Sequence, residues 1–166
     1  MAKIINEGTV QYEKKNVPVA EYGWHTTKNL GALLGTKKVH MDIRSLDPNT
    51  YSYPYHFHHN AEEVFVVLSG EMTLRTPEGL SVLRQGDVVF CETGATGAHQ
   101  MYNHTQADCR YLDIVTAADM DMAEYPDTGK VLVMTSGEMY LKGAEKDYFD
   151  GEEKPADIWK RLMPVE

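Results

Sequence analysis

Residues 55–70 read YHFHHNAEEVFVVLSG, and the order of residue types in that run sets the reading of the whole chain. His56, His58 and His59 crowd together just before Glu62 and Glu63, and the two carboxylates open an apolar run that stops at the turn pair Ser69-Gly70. Side chains alternate along a strand, so His56 and His58 share one face while Phe57 points to the other. Two imidazoles on one face can share a metal ion, and a carboxylate returning beside them completes a facial set that first-row divalent metals accept. Strand parity selects the carboxylate: Glu63, Phe65 and Val67 share one face, Glu62, Val64 and Val66 the other, which leaves Glu63 as the expected ligand.

Outward from this run the chain reads as β-structure, with short stretches rich in Val, Phe, Tyr and Leu between turn signals. Strands are expected at Lys37–Leu46, Tyr51–His58, Glu63–Leu68, Glu71–Thr76, Leu80–Leu83, Asp87–Cys91, His99–Asn103 and Cys109–Val115. Asp47-Pro48-Asn49, Ser69-Gly70, Pro77-Glu78-Gly79 and Gln85-Gly86-Asp87 supply residues suited to tight reversals or positive φ. Short antiparallel strands of this kind close as a sandwich or a jelly-roll barrel, an all-β fold that shields its edges and leaves an interior for a ligand. Tyr51, Tyr53, Tyr55 and Phe57 alternate with the histidines, so they are expected on the outer face, where an apolar row implies burial against another element or another subunit, and a homodimer is expected on that basis.

The flanks are less patterned. The first 35 residues offer a possible strand at Lys3–Asn6 and then a glycine-punctuated stretch expected to wrap the barrel. After Val115 the chain is acidic and Met-rich over Ala117–Glu124, turn-rich over Glu124–Lys130 and strand-like over Val131–Met134. A short helix at Ala156–Leu162 would present Ile158 and Leu162 to the barrel. No repeat or low-complexity tract divides the 166 residues, and one domain, residues 1–166 with a barrel over about 38–115, is expected.

A formal charge of −9 argues against a nucleic-acid partner, which would call for a basic patch. No stretch approaches the roughly 20 apolar residues of a membrane span, and a cytoplasmic protein is the expectation. Cys91 and Cys109 lack CxxC spacing and are read as free thiols in neighbouring strands.

A fourth ligand has to come from a nearby strand, and His99, at the head of the run His99-Gln-Met-Tyr-Asn103, is the best candidate, ahead of His40, His104 and His25. His59 is read as a rim residue and Asn103 as structural. These residues resemble the cupin superfamily. Its first motif is HxH, three or four residues, Glu, six residues, Gly; here it reads His56-x-His58, four residues, Glu63, six residues, Gly70. Its second motif ends in His, three residues, Asn, matched by His99 and Asn103 after Gly86. The resemblance covers about residues 38–115 and implies a jelly-roll barrel holding one divalent metal ion through His56, His58, Glu63 and His99. The chain departs from the pattern at Thr50, where the family has Gly, at Glu92, where it has Pro, and in two extra residues between Gly94 and His99. The stretch Gln100–Ile114, with Glu124-Tyr-Pro-Asp127, is further similar to small single-domain cupins described as sugar-phosphate-isomerase-like.

The metal could be iron, manganese, zinc, nickel or cobalt, since three imidazoles and a carboxylate suit all of them. Three functions are compatible with such a site and a small-molecule ligand: an isomerase or epimerase of a polyhydroxy carbonyl compound, an iron-dependent dioxygenase, or a non-catalytic sugar-binding module. For proton transfer the candidates are His59, Glu62 and Tyr102. A phosphate group would need cations near the metal, yet Arg44 and Arg75 read as solvated strand residues, so no phosphate site is asserted.

Overall fold

The computed structural model describes residues 1–27, 30–143 and 145–162, without the side chains of Ile158 and Leu162. In chain order the elements are β1 (Tyr12–Lys14), β2 (Trp24–Thr27), α1 (Leu30–Leu34), β3 (Val39–Leu46), β4 (Phe57–His58), β5 (Glu63–Ser69), β6 (Glu71–Thr76), β7 (Gly79–Arg84), β8 (Val88–Cys91), β9 (Gln100–Tyr102), β10 (Cys109–Thr116), β11 (Met122–Tyr125), β12 (Lys130–Val133), β13 (Glu138–Leu141) and α2 (Pro155–Leu162). They form a jelly roll of three antiparallel sheets, ordered β1-β2-β3-β10-β5-β8, β13-β12-β11-β4 and β7-β6-β9. Among the described residues no helix is long and apolar enough to cross a membrane.

The six-stranded sheet faces the three-stranded one across an apolar plug. Leu46 of β3, Phe65 and Val67 of β5, Met72 and Leu74 of β6, Met101 of β9 and Tyr111 of β10 all belong to it, and each large apolar side chain buried there contributes about 1.5–3 kcal/mol. Alternation does the sorting: Glu63, Phe65 and Val67 are buried while Glu62 is exposed. Both cysteines are free and fully buried. They lie in β8 and β10, which flank β5 rather than each other.

Gly70 shows why the β5–β6 reversal needs glycine. Its φ is +82°, and an added Cβ would lie 3.0 Å from the Asp108 carbonyl oxygen and 3.1 Å from Cys109 Cα, a conformation and a space that L side chains do not tolerate.

Several expectations are corrected. The N-terminal stretch contributes strands rather than only a wrap, and Lys3–Asn6 is not one of them: β2 pairs with β3 (Trp24 opposite Leu46) and β1 pairs with β2. The alternating Trp-His-Thr-Thr run that does this is only four residues long, which hid it among glycines.

The expected strand Tyr51–His58 is reduced to Phe57–His58, preceded by isolated bridges. Pro54 interrupts the ladder, because proline has no N–H to give. Alternation therefore fails for the aromatic row. Tyr51 stacks on Tyr102 with centroids 4.5 Å apart, Tyr53 packs on Trp24 at 4.5 Å, and Tyr55 and Phe57 form a small core with Ala98. The row is not an outer apolar face, and the homodimer inferred from it loses that support. Exposed apolar side chains occur instead at Leu80 and Val82 of β7, at Val88 and Phe90 of β8 and at Met139, Tyr140 and Leu141 of β13.

Arg75 is the solvated strand residue expected, with an exposed side chain on β6, whereas Arg44 is not. Arg44 is buried in an ion pair with Asp113 at 2.7 Å, and Arg75 holds Asp127 with two hydrogen bonds of 2.6 and 2.8 Å while lying over the Tyr55 ring.

Asn103 closes the loop between β9 and β10. Wholly buried, it donates to the carbonyls of Leu46 (2.9 Å) and Ala107 (2.8 Å) and accepts from the Thr105 backbone N–H (3.0 Å) and hydroxyl (2.8 Å). Asn103→Ala is expected to strand these groups and cost about 2–3 kcal/mol in urea unfolding; a loss below about 0.5 kcal/mol, within the range of neutral surface changes, would show that the loop does not depend on it.

Candidate metal centre

His56, His58 and Glu63 converge on the inside of the jelly roll, with one ligand atom from each lying within 4.8 Å of the others. β4 carries His58, the bridge before it carries His56, and β5 opens on Glu63. His99 sits against this group. Its backbone exchanges hydrogen bonds with His56 (3.2 and 2.9 Å), its ring centroid is 4.7 Å from that of His56, and its Nε2 is 3.0 Å from Glu63 Oε2. The compact set thus holds three of the four expected ligands, and the fourth adjoins it.

The hydrogen-bond pattern gives these rings one orientation. Nδ1 of His56 meets the Pro54 carbonyl at 2.8 Å, Nδ1 of His99 meets the Gly97 carbonyl at 2.9 Å, and Nδ1 of His58 meets the Asp121 carboxylate. Each Nδ1 therefore donates, which leaves Nε2 as the atom available inward. Opposite them Glu63 Oε2 is buried and accepts no hydrogen bond of good geometry, although His58 Nε2 lies 3.7 Å away. A bare carboxylate oxygen among imidazole nitrogens calls for a positive charge between them, and the donor set fits a divalent cation.

Protonation follows the same logic. Burial pushes His56 down to about 4, with the neighbouring His99 adding to the effect, so its ring is neutral at pH 7. Burial opposes ionisation of Glu63, but the adjoining His99, His58 and His56 outweigh it and hold its carboxyl well below the usual range. Burial also works against charge on His99, yet Cys91 and Glu63 beside it push the ring up to about 10. A proton on His99 can therefore supply the positive charge that Glu63 requires.

Asp121 was not singled out from the sequence. It is buried, reaches His58 across the β4–β11 pairing and fixes itself with the Asn60 backbone N–H at 2.9 Å. Lying 63 residues from His58, in an acidic Met-rich stretch without periodicity, it offered no local signal.

A cavity of about 320 Å³ opens onto the four residues and is also lined by Arg44, Tyr53, Tyr111 and Tyr125. The Tyr125 ring stacks beside His56 at 5.8 Å. His59, Glu62 and Tyr102 are not among its lining residues. His59 is exposed, 3.4 Å from Glu124; Glu62 is exposed; Tyr102 is occupied with Tyr51. Of the weaker histidine candidates His40 lines the cavity, whereas His104 binds Thr73 and Glu71 and His25 pairs with Asp47.

The departures from the cupin pattern have local explanations. Thr50 replaces a glycine and uses its hydroxyl to tie the turn to the carbonyls of Gly23 and Asp47, both at 2.8 Å. Glu92 replaces a proline and accepts from Thr96 at 2.6 Å, rigidifying the inserted loop. That loop is anchored to β4 by the Gly94 N–H, 2.8 Å from the His58 carbonyl. Gly97 packs so closely that a Cβ there would collide with the Glu92 backbone, and its carbonyl is the one that orients His99.

Residues 43–115 match the model of the cupin domain. Among solved structures the chain is similar to a protein of Acidithiobacillus ferrooxidans provisionally described as a sugar phosphate isomerase, with 26% identity and TM-score 0.75 over 87% of this chain and 94% of that one. A cupin-superfamily sugar phosphate isomerase of Silicibacter pomeroyi shares the fold at 21% identity and TM-score 0.74, over 89% and 98% of the two chains. The polyketide cyclase RemF of Streptomyces resistomycificus shares it at 24% identity and TM-score 0.56, over 71% and 81%. No curated protein sequence matches significantly. The match over β3 to β10, together with the whole-chain likeness to these structures, makes this chain similar to proteins of the cupin superfamily, those described as sugar phosphate isomerases among them.

Proposed function

We propose that the chain is a metal-dependent cupin enzyme that isomerises or epimerises a small polyhydroxy carbonyl compound, with His56, His58, Glu63 and His99 as the metal ligands. The observation that carries the reading is the set of three imidazoles, each with Nδ1 already bonded to an acceptor, arranged around an unsatisfied buried carboxylate oxygen at the wall of a cavity. The provisional description of the Acidithiobacillus protein supports the reaction class.

A divalent metal bound there supplies a Lewis acid that stabilises negative charge developing on a carbonyl oxygen. The chain's own residues do the rest. Tyr53 and Tyr125 face the cavity, and burial raises the pKa of both phenols, so each stays protonated at neutral pH and is placed to give a proton to a substrate oxygen. They are better situated for proton transfer than His59, Glu62 and Tyr102. Phe65, Met101 and Leu132 line the same cavity and exclude water from the reacting end.

Elemental analysis of the untagged protein is expected to find close to one divalent metal per chain. His58→Ala should abolish most of this content and His59→Ala should leave it intact; equal loss from both would refute the ligand set. Asp121→Ala should retain the fold and bind metal about 10–100-fold more weakly in chelator competition. Near-stoichiometric iron with substrate-dependent oxygen uptake would replace the isomerase reading by a dioxygenase.

Metal uptake should also release a proton. A ring pushed up to about 10 carries a proton at pH 7, and His99 must lose it to ligate. Calorimetry in buffers of different ionisation enthalpy is expected to show about one proton released per metal at pH 7, and affinity falling about tenfold per unit as pH drops. His99→Ala should remove this proton release; an unchanged release would exclude His99 as a ligand.

A further inference from the structure

A second cavity, of about 390 Å³, shares His40, Arg44 and Val115 with the cavity at the metal centre. Two strands carry these shared residues, His40 and Arg44 on β3 and Val115 on β10. On β3 the alternate residues His40, Asp42 and Arg44 lie directly opposite Val115, Asp113 and Tyr111 of β10, so a polar row runs inward from the exposed His40 to Arg44. Asp42 is satisfied by the hydroxyls of Thr26 (2.7 Å) and Thr27 (2.8 Å).

Asp113 is not. It is 2% exposed and lines the second cavity, and its Oδ2 lies 2.7 Å from Arg44 Nη2. Even so, neither of its oxygens accepts a hydrogen bond of good geometry, and Arg44 Nε donates none. Burial pushes the Asp113 carboxyl up to about 6 despite Arg44 beside it, as fits a carboxylate short of donors. Buried polar groups with open capacity on a cavity wall call for a partner from outside the chain.

That partner has to donate to a carboxylate and accept from a guanidinium within one small space, which a hydroxyl group does. An anionic phosphate fits poorly. Among the described residues Arg44 is the one Lys or Arg side chain lining the metal-centre cavity; it is already engaged by Asp113 and stacked over Tyr53 at 4.6 Å. In the second cavity Asp42, Asp113 and Glu13 stand against Arg44 and Lys15. We propose that this compartment holds the hydroxyl-bearing chain of an uncharged, unphosphorylated polyhydroxy carbonyl compound, with Asp113 and Arg44 as the groups that select it. The inference rests on the reading of the site as one for polyhydroxy carbonyl compounds and narrows its substrate class.

The test is titration calorimetry of the metal-loaded protein with free D-ribulose, D-xylulose and D-fructose, each beside its own terminal phosphate ester. At least one free ketose is expected to bind about tenfold or more tightly than its ester. Asp113→Asn, which keeps the side-chain shape, is expected to weaken that free ketose by about tenfold, since a hydrogen bond to a charged group is lost. The comparison on the unsubstituted protein decides the matter even if the variant does not fold.

An ester that binds as tightly as its free sugar, or more tightly, overturns the inference and leaves the proposed function standing. A metal-loaded protein that binds neither form of any ketose overturns both. A folded Asp113→Asn chain with unchanged affinity for the free sugar removes Asp113 from the selecting role.

Discussion

Glu63 is a carboxylate on the inner face of an apolar barrel, and a charge in that position is tolerable only where the surroundings compensate it. Three imidazoles do so from three directions, and none of them is free to turn away, because each is held at Nδ1 by an acceptor supplied by a different segment: the Pro54 carbonyl, the Gly97 carbonyl and the Asp121 carboxylate. The loop before β4, the inserted loop before β9 and the link into β11 are thus fixed by one electrostatic requirement. The anchoring of the Gly94 N–H on the His58 carbonyl and the close approach of Gly97 to Glu92 belong to the same arrangement.

Stability and chemistry are divided along the length of the strands. In β5 the inward residues run from Glu63 through Phe65 to Val67, and in β10 from Val115 through Asp113 to Tyr111 and Cys109, so in each strand an inward carboxylate gives way to the apolar plug. A register shift at Arg110–Tyr111, where Val67 and not Leu68 comes opposite Tyr111, sets Glu63 across from Val115 and Phe65 across from Asp113. A one-residue slip would turn Glu63 to solvent. The apolar plug that resists that slip is therefore also what positions the carboxylate.

What the sequence made legible depended on regular alternation. Where a strand is continuous, as in β5, parity separated Glu63 from Glu62 correctly, and motif spacing brought His56, His58 and His99 into one neighbourhood. Where Pro54 breaks the ladder, the same rule sent Tyr53 to the outer face when it lines the cavity instead. Long-range pairing was invisible for a different reason. Asp121 meets His58 and Arg44 meets Asp113 only because β11 adds to β4 and β3 adds to β10, and neither an isolated aspartate nor an arginine beside an aspartate carries a signal of what lies opposite. The missed β2 was too short to display a period.

The Arg44–Asp113 pair is poorly explained as a device for stability. Taking both charges out of water costs several kcal/mol per ion, and well-packed apolar residues of similar volume at such positions are often neutral or stabilising by about 1–4 kcal/mol. The ladder itself gains nothing from it, since Asp113 stands directly opposite Asp42, a like-charge juxtaposition that sheets disfavour. A polar row that weakens its own sheet, leaves carboxylate and guanidinium atoms without hydrogen bonds and borders two cavities that share lining residues is consistent with selection for what enters the barrel. The apolar plug at the other end supplies the stability that such a row gives up.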